Sequence, residues 1–384
     1  MFRRPIVLAA LATAVLWLCQ FSAVRVLYGG NWTGLFCISP SMPVPEFLRS
    51  ERLYLFQGSP GYDGQLFHLI AHDPWMRRGS AQAIGGAKFR YQRILVPALA
   101  WMLAMGRDEW VHAAYFAVIL GFTFLGVFWL ARWAQTRALH PAWGLAFLAI
   151  PATITSADRM TADVALAALA VGFALYAGSS PIWITTVIAA AAILTRETGG
   201  LIVAGYAIYL LSRRQFARLI ATGCAFLPAS AWFLYVNQGR LRSQAIHYLD
   251  WIPLKGLLDR IIRPAVYPMG GWRGEAAILF DFFALAGVVL LLAAIAKLAL
   301  AHDWDAVSAA IFAFALTTIF LSSRDVWEDA YNFGRVLSPL LLLVFIKELP
   351  VRPLAALAPM TLIDLRIGLN IGHELEEILR GLLK

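Results

Sequence analysis

Charge is what this chain has least of. Of its 384 residues, 14% are Asp, Glu, Lys or Arg, against roughly 25% in a soluble globular domain. Cysteine is nearly absent as well. Cys19, Cys37 and Cys224 are the whole complement, too few and too scattered for a disulfide framework or a cysteine-held metal. There is no Gly-x-x-x-x-Gly-Lys phosphate loop and no Gly-x-Ser-x-Gly elbow, so nothing points to nucleotide hydrolysis or to an elbow-type hydrolase. No low-complexity stretch, internal repeat or soluble domain breaks the chain. The net charge of +9 has no basic soluble domain behind it, so nucleic acid is not expected as a partner. Anionic headgroups account for basic residues that flank apolar runs.

What the chain has instead is hydrophobic length. Apolar residues make up 60% of it, and the runs at 5–24, 111–130 and 276–300 are long enough to cross a bilayer. Lipid offers the backbone no hydrogen-bond partners, so such runs must be helical. The expected fold is all-α: a polytopic integral membrane protein with about ten transmembrane helices. The expected spans are 5–28, 110–131, 142–157, 162–178, 181–195, 199–212, 217–236, 276–299, 304–321 and 335–348. The basic start and the apolar run after it read as an uncleaved first span rather than a signal peptide. Two long loops, 29–93 and 237–275, belong to a membrane domain over 1–350. The remainder, 351–384, reads as an amphipathic tail on the cytoplasmic surface.

Sidedness turns on Ile94–Met105, written 94–105 here. It is short for a span, contains Pro97, and lies between Arg93 and Arg107, so it reads as a juxtamembrane helix on the outer side. With the N-terminus inside, Arg3, Arg4, Arg132, Arg137, Arg213 and Arg214 fall in inner segments, as the bias of basic residues toward the cytoplasm requires. The polar clusters then gather on one face.

The densest cluster is GYDGQLFHLIAHDP, residues 61–74. Asp63 lies between glycines and is placed to accept a proton from a hydroxyl; helix capping explains it as well. Tyr62, Gln65, His68, His72 and Asp73 offer hydrogen bonds to a substrate, or simple packing. Asp63, His68 and His72 carry donors that suit a divalent ion, yet their spacing fits no standard zinc motif; no cofactor is expected, with a divalent metal as the weaker alternative. Arg90 and Arg93 suit capture of a phosphate, or anchoring at the interface. Asp158 and Asp163 stand where one span ends and the next begins. Arg196 and Glu197 interrupt two apolar spans, Arg196 as a phosphate ligand held by Glu197. Arg324 and Arg335, near the start of the last expected span, are further phosphate candidates.

This pattern resembles the polytopic GT-C glycosyltransferases. More narrowly, it is similar to bacterial membrane proteins of cell-surface glycopolymer assembly with a Tyr-Asp-Gly-Gln segment after the first span. The residues that carry the likeness are Tyr62-Asp63-Gly64-Gln65, Arg90-Tyr91-Gln92-Arg93-Ile94-Leu95, Thr195-Arg196-Glu197-Thr198-Gly199 and Gly334-Arg335-Val336-Leu337-Ser338-Pro339. The resemblance implies a GT-C-like fold and a polyprenyl-phosphate-linked sugar as donor. The acceptor would be a glycan or lipid, with membrane lipids and a partner membrane protein as associates. Asp63 would be the catalytic base, at the outer face of the bacterial cytoplasmic (inner) membrane. The chain has no Asp-x-Asp pair in its first loop and no soluble C-terminal domain. The rival class is a transporter or flippase for a lipid-linked glycan, which would use the same arginines without cleaving a bond.

Overall fold

The computed structural model describes residues 4–178, 180–238, 248–267 and 271–382. Arg3, parts of the expected loop 237–275 (239–247 and 268–270) and the last residues of the expected tail (383–384) lie outside the described residues. Among the described residues helices are the only regular secondary structure, with two isolated β-bridges and no strand. Six helices are long and apolar enough to cross a membrane: Pro5–Leu27, Asp108–Thr136, Phe216–Val236, Gly274–Leu300, Ala330–Glu348 and Pro353–Gly381. The chain is therefore built as a multi-pass helical membrane protein. Four shorter apolar helices join them: Asp163–Tyr176, Ile182–Thr195, Glu197–Ser212 and Ala306–Phe320.

Each helix begins and ends for a local reason. Pro5, Pro141 and Pro151 open their segments, where the missing N–H has no partner to lose. Asp305 caps the helix Ala306–Phe320 by accepting from the Ser308 N–H at 2.8 Å, which satisfies one of the first-turn donors. The expected span at 142–157 is divided in two. A 3₁₀ stretch, Pro141–Ala149, gives way to the helix Pro151–Arg159, because Pro151 cannot continue the ladder before it. Ser338 ties this broken segment to the helix Ala330–Glu348. Its hydroxyl accepts from the Ala152 N–H at 2.9 Å and donates to the Gly334 carbonyl at 2.8 Å.

The centre of the bundle is the helix Asp163–Tyr176, buried on every side from Asp163 to Phe173. A helix that is apolar all round belongs in an interior. It packs against the helices Asp108–Thr136, Ile182–Thr195 and Ala330–Glu348. The segment 94–105 contains one nine-residue helix, Leu95–Leu103, about 14 Å long and too short to span. Met102, Leu103 and Met105 at its end are exposed.

The C-terminal segment differs from expectation. Instead of a separate surface tail, Pro353–Leu382 is one helix packed along Trp272–Leu300 and against Pro5–Leu27 and Ala330–Glu348. Two of the charges that make it look unfit to span are paired inside the bundle, while Glu376, Glu377 and Arg380 stay exposed. Arg366 binds Asp281 at 2.9 Å, both nearly buried, and Glu374 accepts from Arg159 at 3.0 Å. At the opposite end of the bundle a second layer of ion pairs joins Lys297 to Glu348 and Lys347 to Asp303 and Asp305.

Candidate functional site

Tyr62-Asp63-Gly64-Gln65 assembles the site, and each residue has its own task. Gly61 turns the chain with φ of +78°, a conformation that favours glycine. Tyr62 donates its hydroxyl to Asn332 Oδ1 at 2.7 Å, reaching from the first loop to the helix Ala330–Glu348. Asp63 opens the ten-residue helix Asp63–His72. Gly64 lies where a Cβ would meet the Arg159 carbonyl oxygen at 2.1 Å, so the close approach of that helix to Arg159 requires glycine. Gln65 braces the loop. Its Oε1 accepts from the Ser39 N–H at 2.9 Å and its Nε2 donates to the Pro60 carbonyl at 3.2 Å.

Around Asp63 the structure strings arginines and carboxylates alternately. Arg90 Nη1 donates to Asp63 Oδ1 at 2.8 Å, and Arg335 Nη2 meets Asp63 Oδ2 at 2.6 Å. Arg335 also reaches Asp163 at 3.4 Å, and Asp163 is bonded in turn to Arg196. Arg93 grips Glu197 through both oxygens, at 3.0 and 2.7 Å. Glu197 was expected to hold Arg196. It stands 3.9 Å from the Arg196 Nε, and the direct partner of Arg196 is Asp163. The network thus sets Arg90, Arg93, Arg196 and Arg335 against Asp63, Asp163 and Glu197, an excess of one positive charge. Burial pushes the Asp63 carboxyl up, but Arg335 and Arg90 outweigh it and hold the group well below the usual carboxylate range.

All of these residues except Asp163 face one cavity of about 630 Å³. Tyr62, Asp63, Gln65, Arg90, Arg93, Arg196, Glu197 and Arg335 all line it. So do Leu66, Leu201, Leu249, Leu321, Val326 and Val336. The walls are therefore cationic in one part and apolar in another, which suits an amphiphile with an anionic head. Of the aromatic rings in the long loops, Tyr248 lines it and stacks on Phe89. Trp75 packs with Trp101, Trp232 and Tyr235 instead.

Five expected site residues are placed elsewhere. Arg324 lines a separate cleft with Arg260, Arg263 and Glu328. Asp158 pairs with Arg159 at 3.2 Å and accepts from the Tyr331 hydroxyl at 3.4 Å. Asp73 caps the turn after the helix Asp63–His72, accepting from the N–H groups of Arg77 at 2.7 Å and Arg78 at 2.8 Å. His68 and His72 point away from Asp63 and meet Glu51 and His112. A metal held jointly by Asp63, His68 and His72 is thus not formed by this geometry. Sequence reasoning missed Asn332, which carries no charge and lies 270 residues from Tyr62. It also missed Glu51 and His112, because only the fold brings them to His68 and His72.

The class of protein that fold and site define is a multi-pass helical membrane protein with an arginine–carboxylate cavity that reaches apolar walls. Comparison with protein-family models, curated proteins and solved structures found no match to this chain.

Proposed function

We propose that the chain is a GT-C-type glycosyltransferase of the bacterial cytoplasmic membrane. It moves a sugar from a polyprenyl-phosphate carrier to a glycan or lipid acceptor at the outer face. The observation that carries this reading is the shared cavity of Asp63, four arginines and apolar walls. A polyprenyl-phosphate sugar needs all three: cations for the phosphate, an apolar surface for the isoprenoid, and a base for the acceptor hydroxyl.

In this mechanism Asp63 takes the proton from the acceptor hydroxyl as its oxygen attacks the anomeric carbon. The bond from that carbon to the phosphate oxygen breaks, the phosphate leaves with the electron pair, and the configuration inverts. Fixed cations help most where charge develops, here on the departing phosphate. Arg90 and Arg335 hold the resting carboxylate at low basicity. When the donor phosphate draws these arginines toward itself, Asp63 loses its cations and becomes a stronger base at the moment it is needed.

The topology belongs to the same proposal. The N-terminus is inside, and 29–93 and 237–275 lie outside. All ten expected spans cross, two of them as broken helices. Pro353–Leu382 adds a crossing to that set, because Glu374 meets Arg159 at the outer end while Glu348 meets Lys297 at the inner one.

The test is incubation of purified protein with a panel of polyprenyl-phosphate sugars and acceptor lipids or glycans, with transfer read by mass spectrometry. Transfer that is lost in Asp63→Asn supports the reading. Absence of transfer, combined with movement of a lipid-linked glycan across reconstituted vesicles, would replace it with the flippase reading.

A further inference from the structure

Behind the cavity, on the far side of the helix Asp63–His72, lies a second cluster that the transfer reaction does not use. Glu51, His68, His72 and His112 each bring one ligand atom into a volume in which all of these atoms lie within 4.8 Å of one another. They come from three parts of the chain: the first loop, the helix Asp63–His72 and the helix Asp108–Thr136. Three of the seven histidines in the sequence meet here.

The arrangement within the cluster is that of ligands. The His68 and His112 rings are stacked with their Nε2 atoms 2.7 Å apart. Glu51 Oε1 lies 2.7 Å from His112 Nε2, and Oε2 lies 3.8 Å from His68 Nε2. His72 is 1% exposed, and its Nε2 is buried with no hydrogen-bond partner. Its other nitrogen, Nδ1, is 2.9 Å from Asp108 Oδ1. A proton on Nδ1, donated to that carboxylate, leaves the Nε2 lone pair free. Asp108 is itself fixed by two bonds from Arg78, at 2.8 and 2.7 Å. Metal-binding histidines are oriented in this way by a carboxylate on the remote nitrogen. His68 Nδ1 has no hydrogen-bond partner in any arrangement, so it does not discriminate.

We propose that Glu51, His68, His72 and His112 bind one divalent transition metal, zinc being the ion their chemistry fits. Three imidazole nitrogens and one carboxylate oxygen form a complete four-coordinate set. In a tetrahedral site with bonds of 2.0–2.1 Å, neighbouring donors stand about 3.3 Å apart. The observed separations, from 2.7 Å to at most 4.8 Å, fall on both sides of that value. With all four positions taken by protein the metal is structural. It pins the first loop and the helix headed by Asp63 to the helix Asp108–Thr136. The inference stands apart from the transferase reading, because its test measures metal and needs no turnover.

The experiment uses the full chain, purified in detergent through an affinity tag without histidine and dialysed against a weak chelator. Elemental analysis should find about one zinc per chain. Cobalt(II) in its place should give the intense visible bands of a four-coordinate site. Zinc returned to stripped protein should raise the thermal midpoint. Glu51→Gln, His68→Ala and His72→Ala should lose the metal and the bands, while His373→Ala, remote and exposed, should keep both. Asp108→Asn leaves every ligand in place and should weaken zinc binding about 10–100-fold, so the idea stays testable where a ligand variant fails to fold. Wild-type protein with under about a tenth of an equivalent of metal and no cobalt bands overturns the proposal. So do ligand variants that keep a full equivalent. Either result makes the cluster a set of histidines and a glutamate sharing protons.

Discussion

At Asp63 the proposed chemistry and the stability of the protein meet in one side chain. In the proposed reaction Asp63→Asn removes the base, and loss of a general base lowers a rate by about 10²–10⁴-fold. The same change leaves Arg90 and Arg335 facing a neutral amide. Removing one charge from a buried pair costs about 3–5 kcal/mol, less where solvent reaches it, so the variant should also melt earlier in detergent. Asp63→Glu keeps the charge and separates the two effects. It should recover most of the lost melting temperature and little of the rate. The pH dependence follows from the depressed pKa. A group of this kind adds stability in full above its unfolded value, near 3.9, and loses it as pH falls through the lower folded value. The gap in melting temperature between wild type and Asp63→Asn should hold constant from pH 7 to about pH 4 and shrink below it. A gap that closes near pH 6 would mean that Asp63 is not held by its arginines. Arg196 makes a second case. Arg196→Ala should lower kcat by about 10²-fold, with Arg196→Lys intermediate because it lacks the planar fork. A defect confined to acceptor KM would move Arg196 from the donor phosphate to the acceptor. That Asp63, Arg90, Arg93, Arg196 and Arg335 were candidates for one site was legible in the sequence, since charge amid apolar residues stands out, and they line one cavity. The roles of Gln65 and Asp73 were not. Both bond to backbone groups, and a backbone partner leaves no mark in the sequence.

Among the elements, the short helix Asp63–His72 shows how much one turn of arithmetic reveals. At about 100° per residue, His68 and His72 lie about 40° apart, on one face. Asp63 and His72 lie about 180° apart, on opposite faces. The division between the cavity and the histidine cluster was therefore written in the spacing, whereas Glu51 and His112 were reachable only through the fold. The helix docks on Arg159 through Gly64, and this contact is testable. Gly64→Ala places a Cβ 2.1 Å from a backbone oxygen. The chain must shift, at about 1–3 kcal/mol, and Asp63 must shift with it. Melting temperature and transfer rate should fall together. Gly121→Ala, a helix position with nothing within 4 Å of the added carbon, should leave both unchanged. If Gly64→Ala behaves like Gly121→Ala, the close contact does not position Asp63.

For the whole molecule, apolar length made the helices legible: most described helix bounds fall within a few residues of the expected spans. The fate of 353–382 was not legible. Its charges read as solvent-facing until Asp281 and Arg159, distant in sequence, supply their partners. Single cysteines introduced at Ser59, Gln215 and Glu377, in a background without the native three, test the sidedness. An impermeant thiol reagent on intact cells should label 59 and 377 and spare 215. Labelling of 215 but not 59 would reverse the topology. Labelling of 377 only after the cells are opened would return the last helix to the inner surface.

The meeting of that helix with Pro5–Leu27 also imposes an order in time. Val26 packs against Gly381, so the helix Pro5–Leu27 finds this neighbour only after the rest of the described chain has been made. Until synthesis reaches Glu374, Arg159 lacks one of its two carboxylate partners, and until it reaches Arg366, Asp281 lacks one of its arginines. The unfinished chain must wait in the bilayer with these charges poorly matched. A chain cut near residue 350 should therefore be less stable in the membrane than one that runs through Leu382.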